Sequence, residues 1–224
     1  IQDLQLGRGE PLEDTARVIS SMVDGIVLRT LKHKTLSDFA SFSSSPVING
    51  LTDLSHPCQL LADLMTFKEK RGPIEGKKVT WVGDYNNMCR TYIEASHLLG
   101  FNLNILCPEE LQPDTDSIHS GNIFLTDSIE EALKDSDLVT TDVWISMGEE
   151  QEKNKKENLL KDYRVSPSLL DLANKEVIFL HCLPAIRGQE ISEDMLDDPR
   201  SFVWDQAENR LHAQKSLLVH LMKD

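Results

Sequence analysis

The sequence predicts an α/β fold in which mainly parallel sheets carry helices on both faces. Short apolar runs alternate along the chain with segments of helical periodicity, and the connections between them are short. Runs such as VTWV and VIFL are apolar at successive positions, which is typical of strands covered on both faces. A stretch at 72–78 punctuated by Gly and Pro follows a long helical segment and is the predicted domain boundary.

Eight segments have the apolar, β-rich character of strands. In chain order they are residues 25–30, 46–49, 78–83, 102–107, 122–127, 137–144, 176–182 and 201–205. Helical segments lie between them, as the crossovers of a parallel sheet require.

The clearest helical segment begins at Pro57 and ends before Gly72. Proline suits the first helical position, and glycine suits the position after the last turn. Lys68, Lys70 and Arg71 complement the negative C-terminal end of the helix dipole.

Two further helices are predicted near the ends of the chain. One runs over residues 14–25 and stops at Gly25, and the other opens with Asp205 and Glu208 at capping-box spacing. Each should bury an apolar stripe. The stripes are Val18, Ile19, Met22 and Val23 in the first helix and Leu211, Leu218 and Met222 in the second.

Composition argues against several classes of protein. The chain has 23 Lys and Arg against 37 Asp and Glu, a formal charge of −14, which argues against nucleic acid or an anionic membrane as the main partner. No run approaches the ~18 apolar residues of a membrane span. The four cysteines are scattered, which favours reduced thiols in a cytosol-like compartment. A metal site is not expected, since His181 and Cys182 are adjacent and no second ligand pair stands at zinc spacing.

Polar clusters follow four of the predicted strands. They are Arg29, residues 83–87, residues 142–148 and residues 181–184. Because ligands of such sheets bind beyond the carboxyl ends of the strands, four clusters together predict a site. The charged stretch at 149–158 is interpreted instead as a solvated helix face or loop.

The cluster at 83–87 and the pair His56 and Gln59 each have a second, simpler interpretation. GDYNN lacks G-x-G-x-x-G, so Asn86 and Asn87 either cap the next helix or hydrogen-bond a small ligand. His56 and Gln59 share a face at a helix N-terminus, where an anion or a polarised carbonyl would sit, although a lone histidine there is more often a cap.

The remaining cationic and acidic candidates are also open to two interpretations. Arg29 and Arg210 suit a clamp for phosphate or carboxylate, although Arg210 alone would more often be solvated or ion-paired. Asp142 could be an N-cap and Met147 a core residue, while Gly148 suggests a loop that closes over a site.

The HCLP segment suggests a Cys/His nucleophile pair, but geometry argues against it. Adjacent strand residues point to opposite faces, so His181 cannot easily activate Cys182. An ordinary thiol, with a pKa of ~8.5, is mostly protonated at neutral pH. A cis peptide is possible at Leu183-Pro184.

Six segments together resemble the ornithine branch of the aspartate/ornithine carbamoyltransferase family. They are QLGRGEPLEDTARV, INGLTDLSHPCQLLADL, WVGDYNNM, TTDVWISMG, FLHCLPAIRG and QAENRLHAQKSLL, and they cover essentially the whole chain. The resemblance implies two Rossmann-like domains with parallel sheets and helices on both faces, the N-terminal one only partly present. The implied division is a partial carbamoyl-phosphate domain at 1–72, an ornithine domain at 73–205 and a C-terminal helix at 206–224 that packs back on the first.

The resemblance also implies the chemistry and the residue roles. The reaction would join carbamoyl phosphate and L-ornithine to give citrulline and phosphate, without metal or organic cofactor, in a cytoplasmic homotrimer. The residues expected to be catalytic are Arg29, His56, Cys182 and Arg210. Carbamoyl phosphate would contact these four together with Gln59 and Leu183. Ornithine would contact Asn87, Asp142, Ser146, Met147, Cys182 and Leu183.

Three departures from the family pattern stand out. The Ser-Thr-Arg-Thr phosphate loop is absent and is expected upstream of residue 1, Tyr85 replaces a smaller residue, and Ile186 replaces a histidine. The first departure predicts that the 224-residue chain forms little or no citrulline. Two other hypotheses are a non-catalytic ligand-binding or interaction protein on the same scaffold, and a carbamoyltransferase for another amine.

Overall fold

A computed structural model of the protein describes residues 9–113, 118, 121–146 and 150–222. Within these ranges it has eight α-helices and seven β-strands. The helices are α1 Leu12–Ser20, α2 His33–Phe42, α3 Pro57–Arg71, α4 Asn87–Leu99, α5 Ile129–Leu133, α6 Lys153–Leu160, α7 Pro167–Leu170 and α8 Val203–Leu221. The strands are β1 Ile26–Arg29, β2 Val47–Leu51, β3 Lys78–Val82, β4 Asn102–Leu106, β5 Ile123–Thr126, β6 Leu138–Thr141 and β7 Ile178–His181.

Five strands form one parallel sheet in the order β5-β4-β3-β6-β7. Within this sheet the chain forms the central strand β3 first, then β4 and the edge strand β5, and afterwards β6 and β7 on the other side of β3. This is the doubly wound arrangement, and its direction reverses between β3 and β6. Ligands of such sheets bind at that reversal, in the crevice beyond the carboxyl ends of the strands.

The large sheet is buried on both faces, which explains its continuous apolar runs. One core cluster packs around Trp81, Tyr92 and Phe101, and a second packs around Leu133 and Phe179. The predicted fold class is therefore confirmed.

The first part of the chain forms a two-stranded parallel sheet, in which Ile26 pairs with Val47. The helix predicted at 14–25 ends earlier, at Ser20, and it buries Thr15 and Ala16. The predicted stripe is not its buried face, since Met22 lies beyond the helix and is 76% exposed.

Helix α3 follows the prediction closely. Pro57 is its first residue, and Gly72 follows its last residue with φ of +81°, a conformation that favours glycine. Its three basic residues fall in the last turn. Helix α3 packs along α8.

The predicted strand at 201–205 is wrong. Ser201 makes only an isolated bridge to Phe179, and α8 begins at Val203. Asp205 therefore lies inside the first turn and does not cap it, and its carboxylate pairs with Lys70 Nζ at 2.5 Å. A short apolar run does not distinguish a strand from the start of a buried helix.

The predicted apolar stripe of α8 is also wrong. Leu211 is 68% exposed, whereas Gln206 and Asn209 are buried against α3. The Asn209 amide donates to Thr66 Oγ1 at 3.0 Å. The buried face of α8 is polar because α3 offers polar partners there. None of the helices in the described ranges is long and apolar enough to cross a membrane.

Candidate active site

A cleft of about 520 Å³ opens at the carboxyl ends of the strands, including the reversal between β3 and β6. It brings together side chains that are up to 181 positions apart in sequence, from Arg29 to Arg210. The predicted residues that line it are Arg29, His56, Asn87, Asp142, Ser146, Cys182, Leu183 and Arg210. Met147 and Gly148 lie outside the described residues.

Asn86 is a helix cap that also holds an acidic side chain. Its Oδ1 accepts from the backbone N–H groups of Met88 and Cys89 at 2.9 and 3.1 Å, which caps α4. Its Nδ2 donates to Asp142 Oδ2 at 2.9 Å. The β3 and β6 loops are thereby joined across the reversal of the sheet.

Asn87 has a different position, because it is the first residue of α4 and lines the cleft. Its Nδ2 donates to the Thr52 carbonyl at 2.8 Å. This hydrogen bond ties the start of α4 to the end of β2, so it fixes the two walls of the cleft relative to each other.

Cys182 is held beside Asp142 as a neutral thiol. Its Sγ donates to Asp142 Oδ1 at 2.7 Å. Burial of the thiol and the nearby Asp142 carboxylate raise the Cys182 pKa well above its ordinary value. A thiol with a raised pKa is a poor nucleophile, which agrees with the sequence-based argument.

His181 faces away from Cys182. Its Nδ1 accepts from the Leu183 N–H at 2.9 Å, and its Nε2 lies 3.3 Å from Glu190 Oε1. Leu183 has a positive φ of +47°, a conformation that costs a non-glycine residue roughly 1–2 kcal/mol. The buried imidazole therefore anchors the loop that starts at Cys182. The Leu183-Pro184 peptide is cis.

His56 lies between two arginines as an uncharged imidazole. Burial, followed by the positive charges of Arg210 and Arg29, lowers the His56 pKa from 6.5 to about 4. Its backbone N–H donates to Thr91 Oγ1 at 2.9 Å, while its Nδ1 is buried without a hydrogen-bond partner among the described residues. The His56 ring can therefore supply a hydrogen bond to a ligand without adding a charge.

We expect His56 to titrate near pH 4 in an NMR pH titration, with its signals assigned through the His56→Gln variant. The unfolded chain takes up this proton near pH 6.5 and the folded chain only near 4. The His56 contribution to the free energy of unfolding is therefore complete above 6.5 and is lost as the pH falls towards 4. A midpoint at or above 6.5 would contradict the buried, neutral state.

Arg210 is held by neutral partners. Its Nη1 donates to Gln59 Oε1 at 2.5 Å. With the Gln214 amide turned so that its oxygen faces the arginine, that oxygen accepts from Nε and Nη2 at 2.9 and 3.0 Å. Amide oxygens orient the guanidinium without neutralising it, so its charge stays available to an anion.

Gln59 does not line the cleft but lies buried behind Arg210. Its Nε2 donates to Asp63 Oδ1 at 3.0 Å, so its oxygen is the end that faces the arginine. This differs from the expectation that Gln59 contacts carbamoyl phosphate, because its oxygen faces Arg210. The difference arises because this face of α3 packs against α8.

Sequence reasoning missed a cationic residue of the cleft and misjudged the burial of a lysine outside the cleft lining. Arg90 lines the cleft and stacks over the Tyr85 ring at 4.9 Å, and its position three residues after Asn87 on α4 could have indicated this. Lys156, in the stretch expected to be solvated, is only 4% exposed and bonds Asp84 Oδ2 at 2.6 Å. No sequence signal distinguishes this lysine from its solvated neighbours.

The chemistry of the cleft follows from these groups. Two arginines and a neutral imidazole suit a small anion with a polarisable oxygen, while the Asp142 carboxylate suits a cation. Among the described residues, no group of three or more His, Cys, Asp and Glu side chains could hold a metal ion.

Fold and cleft together define a doubly wound α/β protein of the kind that binds small polar substrates at its sheet reversal. Two family models match the chain. The aspartate/ornithine carbamoyltransferase Asp/Orn binding domain matches residues 75–221, and the carbamoyl-P binding domain of the same family matches residues 1–69. The chain belongs to the aspartate/ornithine carbamoyltransferase family.

Relatives and solved structures agree with this assignment. The ornithine carbamoyltransferase of Psychrobacter arcticus is 58% identical over 224 residues, which are 99% of this chain and 73% of the relative. Ornithine carbamoyltransferase structures from Pyrococcus furiosus and Burkholderia thailandensis superpose with TM-scores of 0.91 and 0.89 at 46% and 45% identity. Each match covers 99% of this chain, and 74% and 73% of the respective structure.

Proposed function

We propose that the gene product to which this chain belongs works as an ornithine carbamoyltransferase, which transfers the carbamoyl group of carbamoyl phosphate to the δ-amino group of L-ornithine. The products are L-citrulline and phosphate. The observation that carries this proposal is the cleft itself, which combines Arg29, His56 and Arg210 with the pair Cys182–Asp142. Relatives named for this activity at 52–58% identity support it.

The proposed chemistry needs no enzyme nucleophile. The δ-amino nitrogen attacks the carbamoyl carbon, a C–N bond forms, the C–O bond to phosphate breaks, and the nitrogen loses a proton to the departing phosphate. The protein orients both substrates and stabilises charge on the carbonyl oxygen and the departing phosphate. In this proposal Arg29 and Arg210 hold the phosphate and His56 donates to the carbonyl oxygen.

Ornithine recognition is assigned to the other side chains of the cleft. Asp142 would receive the α-ammonium group, and Asn87 and Ser146 would bind the polar groups around it. Cys182 and the Leu183 carbonyl would lie beside the δ-amino group. Met147 remains a predicted contact from sequence alone.

The domain division remains part of the proposal, with a carbamoyl-phosphate part at 1–72, an ornithine part at 73–205 and a closing helix at 206–224. The boundary between the two family models, which falls between residues 69 and 75, supports the division near 72. The packing of α8 on α3 supports the return of the last helix to the first part.

We further propose a cytoplasmic homotrimer. The four free cysteines support the compartment, and the family resemblance supports the trimer.

The test is citrulline formation by the full-length gene product, with putrescine, aspartate and N-acetylornithine as competing acceptors. We expect ornithine to be preferred, and a preference for another acceptor would reject the proposal.

The 224-residue chain is assayed in parallel, because it lacks Ser-Thr-Arg-Thr. Loss of one oxyanion donor raises the activation free energy by about 3–4 kcal/mol, so this chain should turn over little. Calorimetry should still show that it binds ornithine. If the full-length protein also binds without turnover, the non-catalytic hypothesis is favoured.

Cys182→Ser should impair ornithine binding and turnover in the full-length enzyme without abolishing the chemistry. The serine hydroxyl can still donate to Asp142, but it is shorter and fills less of the site. Steady-state kinetics with ornithine as the varied substrate measure the effect. Complete inactivity with both substrates still bound would instead indicate a nucleophilic cysteine.

A further inference from the structure

Asp63 is a buried carboxylate behind the cleft that the proposed mechanism does not use. It lies on α3, four residues after Gln59, and is 2% exposed. Its Oδ1 accepts from Gln59 Nε2 at 3.0 Å and from Gln206 Nε2 at 2.6 Å. Its Oδ2 accepts from the Tyr92 hydroxyl at 2.8 Å. Three helices, α3, α4 and α8, therefore meet at this one side chain.

The contacts of Asp63 determine which way the Gln59 amide points. A carboxylate accepts hydrogen bonds only, so it selects the NH₂ end of that amide. The amide oxygen is then left to face Arg210 Nη1, at 2.5 Å. In the reversed orientation the oxygen would meet the carboxylate and the NH₂ would meet the guanidinium, and both contacts would be repulsive.

We propose that Asp63 is a positioning residue for the anion side of the cleft, acting through Gln59 to hold the Arg210 guanidinium in place. This inference rests on the proposed function. Asp63 itself touches no substrate, since it lies behind Gln59 and does not line the cleft. Its effect should appear in the handling of carbamoyl phosphate and not in that of ornithine.

The protonation state of Asp63 offers an independent test. Burial raises its pKa to about 7, opposed by the hydrogen bond from Tyr92, the charge of Arg210 and the hydrogen bond from Gln59, while Asp142 raises it further. The Cys182 thiol also faces this carboxylate. Protonated Asp63 can donate to the Gln59 oxygen, so the constraint on the amide is lost as the pH falls through 7.

The experiment compares Asp63→Asn with wild type in the full-length gene product. Asparagine keeps the volume but can either donate or accept, so it no longer selects one orientation of Gln59. We expect the KM for carbamoyl phosphate to rise about tenfold and the KM for ornithine to change less than about twofold. In wild type the KM for carbamoyl phosphate should rise as the pH falls from about 8 to about 6. Asp63→Asn should lack this rise, whereas a rise caused by titration of the substrate would appear in both proteins.

Two controls separate positioning from helix packing. Tyr92→Phe removes a hydrogen bond that lowers the Asp63 pKa without touching Gln59, so it should lower the thermal midpoint, move the rise in the KM for carbamoyl phosphate to higher pH and leave the KM for ornithine unchanged. Asp63→Asn should have no added effect in a Gln59→Ala background. Unchanged KM values in Asp63→Asn, or an undiminished effect without Gln59, would overturn the inference. Wild-type turnover tests the proposed function separately. Calorimetry with inorganic phosphate compares the anion affinities of wild type and Asp63→Asn without requiring turnover.

Discussion

Arg210→Ala is expected to lower kcat/KM by about a thousandfold or more in the full-length enzyme. The guanidinium lines the cleft and is held by neutral amide oxygens, so its charge is free to act on an anion. Charge stabilisation of a departing phosphate in a cleft is worth about 3–4 kcal/mol per donor, and a guanidinium contributes two donors at once. Steady-state kinetics with carbamoyl phosphate as the varied substrate measure the loss.

A matched control is available on the same helix. Lys215 is exposed on α8 and does not line the cleft, so Lys215→Ala removes the same charge without touching the site. Arg210→Lys should fall between Arg210→Ala and wild type, because it keeps the charge but loses the planar fork. Near wild-type activity of Arg210→Ala, or an equal loss in Lys215→Ala, would contradict the assigned role.

The cleft shows why an acidic protein can bind an anionic substrate. The chain carries a formal charge of −14, yet Arg29 and Arg210 act over a few ångströms in a partly buried cleft. Within that distance local charges outweigh a distant, solvent-screened surface. Net charge therefore informs about large polyanionic partners and says little about a small anion.

Seven of the eight strands could be predicted because buried parallel strands leave continuous apolar runs. The order of those strands could not be read from the runs, since pairing between distant segments leaves no local pattern. The position of the cleft depends on that order. Asp127 and Asp142 both follow strands, but only Asp142 lies at the reversal of the sheet and lines the cleft.

The polar core between α3 and α8 was also beyond sequence reasoning. The sequence predicts an apolar stripe on α8, whereas Gln206 and Asn209 are buried through hydrogen bonds to Asp63 and Thr66. Periodicity arguments assume that buried faces are apolar, and they fail where each polar side chain has a buried partner. The orientation of Gln59 was missed for the same reason.

Asp142→Asn is expected to raise the KM for ornithine by about a hundredfold while leaving the KM for carbamoyl phosphate nearly unchanged. Replacing a carboxylate by an amide removes the charge that would pair with the α-ammonium group, and such charge-assisted contacts are worth about 2–3 kcal/mol. Asp127→Asn is the matched control, because this exposed carboxylate follows β5 in the same way but lies away from the cleft.

The same variant gives a second measurement that does not depend on turnover. The Asp142 carboxylate helps to raise the Cys182 pKa, so its neutralisation should lower that pKa and speed the reaction of the thiol with a disulfide reagent. Burial, the larger cause, remains, so the thiol should stay mostly protonated at neutral pH. Faster thiol modification with a raised KM for ornithine would place both effects on one carboxylate. Unchanged thiol reactivity and an unchanged KM for ornithine would show that Asp142 neither holds Cys182 nor receives the substrate.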